Sequence, residues 1–261
     1  MKRQFTDMTG RTIEVNFPPQ RIVSLVPSQT ELLYDLGLSE EVVGITKFCV
    51  HPNVWFRNKK RIGGTKTVHI DQVNDLQPDL IIANKEENTK EQIEKLAQHF
   101  PVWISDIKTI GQGLQMICEV GDLTGKMIPA LQLCNEISTG FLSLPKGGKA
   151  MKVAYFIWRD PWMCAGGDTF ISDIITRMGW VNVLGDKNRY PEIELMELAA
   201  LQPDIILLSS EPYPFKEQHI AEIKAILPHA EVKLVDGEMF SWYGSRMKKA
   251  VGYLNELIKK I

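Results

Sequence analysis

The amino-acid sequence predicts an α/β protein with two parallel-sheet lobes, a long linker helix joining them, and a ligand cleft between the lobes. One observation is a repeat: LQPDLIIANKEE begins at Leu76 and LQPDIILLSSEP begins at Leu201. A second is that the apolar runs inside these copies do not alternate with polar residues, which is typical of parallel strands covered by helices on both faces. A third is a helical pattern between the copies. The predicted boundaries are 1–109 for the N-terminal lobe, 110–145 for the linker helix and 146–261 for the C-terminal lobe.

The first copy is flanked by the elements of one α/β unit. RIVSLVPSQTELLYDLG, from Arg21, has the pattern of a strand, a Pro-Ser loop and a helix. Within it, Ser28 and Glu31 match the Ser-x-x-Glu capping box that opens helices. After the copy, TKEQIEKLAQHFPVWISD, from Thr89, predicts an amphipathic helix followed by a strand.

The second copy has the same flanks in the same order. KVAYFIWRDPWMCAGGDTFISDIITRMG, from Lys152, precedes it, and FKEQHIAEIKAILPHAEVKLVD, from Phe215, follows it. Matching elements in one order predict that the chain is two copies of one unit. In the linker, apolar residues recur at helical spacing, and a break is expected near Pro129.

The composition is that of an ordinary globular protein, with 44% hydrophobic residues, 24% charged residues and a formal net charge of −2. This balance does not indicate nucleic acid as a partner, and the basic run RNKKR from Arg57 is interpreted as a solvated loop. No apolar run approaches the roughly 18 residues of a membrane span. The N-terminal MKRQFTDMTGRTIEV lacks the apolar core of a signal peptide, so either the protein stays in the cytoplasm or a leader was removed.

The cysteines show no metal-ligand spacing and no close pair along the sequence. They are Cys49, Cys118, Cys134 and Cys164. Each is interpreted as a buried small hydrophobic side chain, and a disulfide framework is not expected.

Ligand contacts are expected on the loops that follow the predicted strands, because parallel sheets bind ligands beyond the carboxyl ends of their strands. Three such loops lie in the first lobe (26–30, 47–52 and 85–88) and four in the second (159–163, 187–190, 211–215 and 237–246). Aromatic residues collect in them: Phe48, Trp162, Tyr190, Tyr213, Phe215, Phe240, Trp242 and Tyr243. Aromatics exposed in loops suit a macrocyclic or aromatic ligand.

From about Arg21 to the C-terminus, the order and spacing resemble the helical-backbone (type III) substrate-binding proteins of ABC importers. RIVSLVPSQTELLYDLGLSEEVVGIT, IGGTKTVHIDQVNDLQPDLIIA and AGGDTFISDIITRMGWVNVLG carry the resemblance. That family includes cobalamin-, ferric-siderophore- and haem-binding proteins, and the Ser-Leu-x-Pro-Ser-x-Thr-Glu run is most similar to the cobalamin-binding members. The resemblance implies a rigid two-lobe clamp that binds a corrinoid without changing it. By position it places Pro27, Ser28, Phe48, Arg159, Trp162, Trp242 and Arg246 against the ligand.

Further loop residues complete the predicted ligand set: Lys85, Glu86, Phe240 and Tyr243. The charged cluster of Lys85, Glu86, Glu87 and Arg159 indicates a ligand with polar side arms, such as propionamides or carboxylates, or a metal chelate. One departure from the cobalamin-binding pattern is the segment GGTKT. The cobalamin-binding members have a tryptophan in this segment, whereas this chain has Thr65 and Lys66 there.

The resemblance also implies a membrane permease as partner, contacted through acidic residues on each lobe, and a monomeric protein. Asp71 stands at the first acidic position. At or near the second stands Met196, with Glu194 and Glu197 beside it. A protein of this kind is periplasmic or held at the cell surface once a leader has been removed.

Three alternatives differ in ligand or class. The ligand could be a ferric siderophore, haem or another metal chelate, or the protein could be a cytoplasmic corrinoid or metal carrier without a permease. His51 and His69 could reach the cleft, and His51 with Glu86 and Glu87 could form a small-ion site, although scattered histidines are more often surface or packing residues. The sequence has no Gly-x-Ser-x-Gly, His-Glu-x-x-His or phosphate-loop motif, so it predicts no catalysis, no catalytic cofactor and no metal site.

Overall fold

Both predicted parallel sheets are present in a computed structural model of the chain, which describes residues 1–145 and 150–261. The described residues form two compact units. Unit 1 comprises residues 1–107, 111–138 and 243–246, and unit 2 comprises residues 108–110, 139–242 and 247–261. The short stretch 243–246 therefore belongs to unit 1, although it lies close to the C-terminus.

The first half of the chain contains seven strands and six helices among the described residues. The strands are β1 (Lys2–Thr6), β2 (Thr12–Asn16), β3 (Ile22–Ser24), β4 (Val42–Ile45), β5 (Lys60–Arg61), β6 (Leu80–Asn84) and β7 (Val102–Ser105). The helices are α1 (Pro27–Asp35), α2 (Asn53–Asn58), α3 (Ile70–Leu76), α4 (Lys90–Ala97), α5 (Ile110–Leu123) and α6 (Met127–Leu142).

The second half adds five strands and five helices within residues 150–261. The strands are β8 (Lys152–Trp158), β9 (Met163–Cys164), β10 (Val181–Asn182), β11 (Ile205–Ser209) and β12 (Glu231–Val235). The helices are α7 (Phe170–Arg177), α8 (Leu195–Ala200), α9 (Glu217–Ile226), α10 (Glu238–Ser241) and α11 (Arg246–Lys259). No helix in the described ranges is both long enough and apolar enough to cross a membrane.

Four strands of each sheet follow the same order, which agrees with the predicted duplication. In unit 1 the order is β5-β4-β3-β6-β7, and every pair is parallel. In unit 2 the order is β10-β8-β11-β12, again parallel, with the short β9 antiparallel to β8. The repeated segments supply β6 and β11, each of which lies between two neighbours and is buried at all five positions. Burial on both faces explains why these strands lack polar alternation.

The repeated Leu-Gln-Pro-Asp performs the same structural task in both units. Gln77 and Gln202 adopt left-handed backbone conformations, with φ of 42° and 52°, where the preceding helices end. The following proline cannot continue a helix. The Asp79 carboxylate accepts the backbone N–H of Arg21 at 2.8 Å, just before β3, and the Asp204 carboxylate accepts the N–H of Lys152 at 2.8 Å, at the start of β8. Each aspartate thereby aligns the central strand of its sheet.

Three local predictions differ from the structure. The capping box at Ser28 and Glu31 is wrong: α1 begins at Pro27 after Val26, which makes no side-chain cap, and Glu31 pairs elsewhere. The linker segment does break into two helices, but the chain turns at residues 124–126 rather than at Pro129, which lies in the first turn of α6, where a proline is tolerated. The basic run from Arg57 ends α2 and forms β5 rather than a loop. The N-terminal β1–β2 hairpin was not predicted.

The cysteine interpretation holds for only two of the four residues. Cys49 and Cys164 are buried, whereas Cys118 and Cys134 are half-buried. These two also lie side by side, with 3.4 Å between their sulfur atoms. The sequence showed no close pair because the two residues are 16 positions apart.

The close contact between α5 and α6 depends on Gly121, which has no side chain. We expect Gly121→Ala to lower the free energy of unfolding by about 1–3 kcal/mol. A methyl group on Gly121 would lie 2.4 Å from Cβ of Ala130, so the helices would have to separate. Gly252→Ala in α11 is the matched control, since nothing lies within 4 Å of its added methyl group. That control should be neutral or stabilising by up to about 1 kcal/mol. Urea denaturation of both variants measures the difference, and equal stabilities would contradict the close approach.

Candidate functional site

In unit 1, the loops at the carboxyl ends of the strands are joined by buried amide side chains. The Asn88 side chain accepts the backbone N–H of Asn84 at 2.8 Å and donates to the carbonyl oxygens of Leu25 at 3.3 Å and Thr65 at 3.0 Å. Three loops, those after β3, β5 and β6, therefore meet at one side chain. Asn84 in turn accepts the backbone N–H groups of Glu86 and Glu87 at 2.8 and 3.0 Å. This network gives the 85–88 loop a defined conformation.

The start of α1 is covered by residues 243–246 of the same unit. Pro27 and Ser28 are buried there. The Tyr243 hydroxyl donates to Glu87 at 3.2 Å, and burial, followed by the charge of Glu87, raises the pKa of Tyr243 well above its usual value. Arg246 donates through Nε to Glu31 at 2.7 Å, and both side chains are about 5% exposed. Two of the predicted ligand residues, Tyr243 and Arg246, thus have structural partners within unit 1.

Of the other predicted contacts of unit 1, Phe48 and Lys85 are open to solvent and Glu86 is half-buried. Phe48 is 51% exposed, and the Lys47 ammonium lies 5.1 Å from the centre of its ring. Lys85 pairs with Asp106 at 2.5 Å. The backbone carbonyl of half-buried Glu86 accepts from Lys66 at 2.5 Å. This edge consequently offers an aromatic ring beside ammonium groups.

In unit 2, Arg159 and Trp162 form a layered surface after β8. The Arg159 guanidinium lies 5.0 Å from the centre of the Trp162 ring, and it donates to both carboxylate oxygens of Glu222 at 3.1 and 2.5 Å. These hydrogen bonds to Glu222 raise the pKa of Arg159. Trp162 stacks on Phe215 with an interplanar angle of 5°. Glu222 and Trp162 therefore fix the orientation of the guanidinium plane.

In the loop after β11, Glu211 accepts hydrogen bonds from a second set of side chains, which includes Trp242. The indole N–H of Trp242 donates to Glu211 Oε1 at 2.8 Å, and the Ser241 hydroxyl donates to the same oxygen at 3.0 Å. An open cavity of about 640 Å³ adjoins this group, and its lining includes Ser210, Glu211, Phe215, Asp236 and Glu238. Trp242 itself is half-buried.

Burial raises the pKa of the Glu211 carboxyl above 4.5, the nearby charges of Glu238 and Asp236 raise it further, and the hydrogen bonds from Ser241 and Trp242 oppose the increase. The folded protein therefore keeps the Glu211 carboxyl protonated to a higher pH than the unfolded chain does. The resulting contribution to stability is present at low pH and is lost as the pH rises through the folded pKa.

We expect Glu211→Gln to remove the fall in stability that accompanies rising pH. The neutral amide can still accept the hydrogen bond from Trp242, and it carries no buried charge. The free energy of unfolding of the variant should rise relative to that of the wild type as the pH increases from about 4.5. Urea denaturation over a pH series measures the difference. A difference that stays constant with pH would contradict the assignment.

The expected exposure of the loop aromatics is wrong for three of the eight residues. Phe215, Phe240 and Tyr243 are buried. Phe240 is fully buried between Tyr155, at 5.0 Å between ring centres, and Tyr253, at 6.3 Å, so it offers no surface to a ligand in this structure. Loop position alone does not distinguish an aromatic that packs under its own loop from one that faces solvent.

The acidic residues predicted for permease docking are on the surface. Asp71 lies in the first turn of α3 in unit 1, and Glu194 and Glu197 lie at the start of α8 in unit 2. All three are exposed, as is Met196 between the latter two, at 71%.

The small-ion alternative is not supported by the described part of the chain. His51 is half-buried and His69 is exposed, just before α3. Within residues 1–145 and 150–261, no group of three or more His, Cys, Asp or Glu side chains could hold a metal ion. His51 is accordingly not assembled with Glu86 and Glu87 into a site.

Sequence reasoning missed the residues that organise these loops. Glu211, Glu222 and Asn88 each make the hydrogen bonds described above. Asn88 and Glu211 stand in two of the predicted ligand loops, 85–88 and 211–215, so their position after a strand is the available signal. Glu222 lies within α9 and carries no such signal.

Known proteins similar to this chain agree with the fold. A periplasmic binding protein family model matches residues 22–232. The chain is 25% identical over 199 residues to a vitamin B12-binding protein of Vibrio campbellii, covering 74% of this chain and 72% of that protein. It is also 25% identical over 266 aligned positions to the uncharacterized ABC transporter substrate-binding lipoprotein YvrC of Bacillus subtilis, covering 97% of this chain and 84% of that one.

A solved structure extends the likeness to three dimensions. A possible iron-binding (periplasmic solute-binding) protein from Staphylococcus epidermidis has a TM-score of 0.79 at 23% identity, covering 92% of this chain and 98% of that chain. The family model spans both parallel sheets, from the start of β3 into β12. The chain therefore belongs to the periplasmic binding protein family.

Proposed function

We propose that this chain is the substrate-binding protein of an ABC-type importer and that its ligand is a corrinoid related to cobalamin. The observation that carries the proposal is the collection of aromatic and hydrogen-bonding side chains after the strands of each unit. The names of the relatives support it, since one is a vitamin B12-binding protein and another an ABC transporter substrate-binding lipoprotein. By the same reasoning we place the protein outside the cytoplasm and expect it to release its ligand unchanged.

Unit 2 would supply flat contact area. The proposed contacts are Trp162, with the guanidinium of Arg159 on its face at 5.0 Å, and half-buried Trp242. A corrin ring is broad and apolar on its faces, so indole rings that are already held by neighbours lose little conformational freedom on binding. The bidentate contact with Glu222 fixes the guanidinium plane before a ligand arrives.

Unit 1 would supply an aromatic ring and polar groups. Phe48 is exposed with Lys47 beside it, and Lys85 and Glu86 lie on a loop that the Asn84–Asn88 network holds. Ammonium groups and backbone amides can donate to the amide oxygens of corrinoid side arms. Pro27 and Ser28 are buried, so we propose that they shape this edge rather than offer much contact area.

A second candidate ligand is an anionic ferric chelate. Lys47, Lys66 and Lys85 all follow strands of unit 1 and are exposed, and ammonium groups favour carboxylate-bearing ligands over neutral amides. The similar fold of the possible iron-binding protein is compatible with this alternative.

The test is titration of the purified protein with cyanocobalamin, cobinamide, haemin and a ferric siderophore, followed by calorimetry and visible absorption. We expect the two corrinoids to bind and to be recovered unchanged. Phe48→Ala should weaken their binding, whereas Ile128→Ala, at an exposed residue on α6, is the control and should not. Binding of only haemin or the siderophore would overturn the corrinoid assignment, and binding of none of the four would overturn the function.

For the importer itself, we propose that Asp71, Glu194 and Glu197 contact basic residues of a permease. Their exposure leaves their carboxylates available for ion pairs. Co-purification with the permease encoded nearest to this gene should weaken when all three are changed to the corresponding amides. Unchanged co-purification of that triple variant would contradict the docking role.

A further inference from the structure

Two thiols of unit 1 face each other on neighbouring helices. Cys118 of α5 and Cys134 of α6 have their sulfur atoms 3.4 Å apart, and the Cys134 thiol donates to the carbonyl oxygen of Leu114 at 3.3 Å. Both residues are half-buried, so a small reagent has partial access to them. Neither is explained by the binding role proposed above.

The close approach of the helices explains why these two side chains meet. Gly121 lies one turn after Cys118, and Ala130 lies one turn before Cys134. An added methyl group on Gly121 would be 2.4 Å from Cβ of Ala130. The two helix backbones are therefore close enough at this level for two short side chains to be in contact.

We propose that Cys118 and Cys134 form an intramolecular disulfide when the protein meets a small-molecule disulfide such as oxidised glutathione. The sulfur atoms, 3.4 Å apart, need to approach by about 1.35 Å to reach the bond length of about 2.05 Å. The cross-link would join α5 to α6 and close the loop between residues 118 and 134. Closing a loop restricts the unfolded chain and so stabilises the folded one.

The disulfide forms in two successive thiol–disulfide exchange steps. The Cys118 thiolate attacks one sulfur of oxidised glutathione, which forms a mixed disulfide and releases one glutathione thiolate. The Cys134 thiolate then attacks the Cys118 sulfur of that mixed disulfide, which forms the protein disulfide and releases the second glutathione. The two protons lost by the cysteines are taken up by the two glutathione thiolates, so the protein is oxidised by two electrons and the reagent is reduced by two.

We assign the closing attack to Cys134 because its thiol proton is held in a hydrogen bond to the carbonyl oxygen of Leu114 at 3.3 Å. Burial, with the neighbouring Cys118 thiol, raises the pKa of Cys134 to about 12. A Cys134 thiolate is therefore scarce at neutral pH, and the closing step should quicken as the pH rises. The other two cysteines provide an internal control: Cys49 and Cys164 are fully buried, and burial raises the pKa of Cys49 to about 11.

The experiment treats the full-length protein with oxidised glutathione and then alkylates it in denaturant. We expect the mass of the protein to fall by two hydrogen atoms, two of the four thiols to escape alkylation, and one cross-linked peptide pair to contain residues 118 and 134. Cys118→Ser and Cys134→Ser should each abolish the cross-link, whereas Cys49→Ser should retain it. The oxidised wild type should melt at a higher temperature than the reduced form, and the Cys118→Ser variant should show no such difference.

Four alkylated thiols in the treated wild type, or a cross-link between other cysteines, would overturn the proposal. So would stable glutathione adducts on the wild type in place of the cross-link, because they would show that the second thiol cannot reach the first. None of these measurements uses the ligand, so they stand apart from the test of the proposed function.

Discussion

Replacing Arg246 with methionine is expected to lower the free energy of unfolding by about 3–5 kcal/mol, the typical cost of removing one partner from a buried ion pair. Arg246 and Glu31 have side chains that are 6% and 5% exposed, and Nε of the arginine is 2.7 Å from Oε2 of the glutamate. Without the guanidinium, the Glu31 carboxylate loses its buried counter-charge. Urea denaturation measures the loss.

A second variant distinguishes charge from packing. Changing both residues, Glu31→Leu together with Arg246→Met, should recover most of the stability, because an apolar pair of similar volume needs no counter-charge. The exposed pair of Lys2 and Glu14, 2.6 Å apart, is the matched control. Glu14→Gln should cost about 1 kcal/mol or less. A loss at Arg246 no larger than this control would contradict the buried-pair interpretation.

The same Arg246 variant tests the sequence-based assignment of this arginine as a ligand contact. If the role of Arg246 is to form the buried ion pair with Glu31, the affinity of the folded variant for cyanocobalamin should change much less than its free energy of unfolding does. A large affinity loss with little loss of stability would instead favour direct contact with the ligand.

Replacing Trp242 with alanine is expected to weaken corrinoid binding about tenfold or more, since the loss of one aromatic contact in a desolvated pocket typically costs ~2 kcal/mol. The residue is half-buried and donates one hydrogen bond to Glu211, so its removal should lower the melting temperature of the free protein much less than the loss of a core tryptophan would. Calorimetric titration with cyanocobalamin and a thermal melt of the same variant measure both quantities. A large fall in melting temperature with unchanged affinity would assign Trp242 to packing and remove it from the site.

Trp242→Phe separates the ring from its hydrogen bond. The phenyl ring retains an aromatic face but cannot donate to Glu211 Oε1, which Trp242 contacts at 2.8 Å. If stacking carries the affinity, Trp242→Phe should bind nearly as well as the wild type. An equal loss in the phenylalanine and alanine variants would assign the effect to the orientation of the indole by Glu211.

Several features of the fold could be predicted because they depend on residues close together in the chain. Apolar runs without alternation indicated parallel strands, and the repeated Leu-Gln-Pro-Asp indicated a duplicated unit. The structure shows both, with β6 and β11 buried along their length. Local patterns have limits, however: Ser28 and Glu31 matched a capping box, yet the N-cap residue is Val26, two positions before Ser28, and it makes no side-chain cap.

The candidate site was predictable as a set of loops but not as a set of contacts. Parallel strands end at one edge of a sheet, so the sequence indicated which loops to consider. It could not indicate that Phe240 packs inside unit 2 while Phe48 faces solvent, because both are aromatic residues in segments predicted to be loops after strands, and Phe240 in fact lies in the short helix α10. Burial depends on what the rest of the chain places over a side chain.

The sequence by itself determined the two parallel sheets, the duplication of one unit and the loops that follow the strands, since helix ends, turns and strands are encoded over a few neighbouring residues, whereas the order of the strands came from the tertiary structure. Only the tertiary structure decided the partners of the charged, polar and thiol groups. Arg246 reaches Glu31 across 215 positions, Tyr243 reaches Glu87 across 156, and Cys118 meets Cys134 across 16. A buried polar group needs a partner, but no local pattern specifies which distant residue provides it.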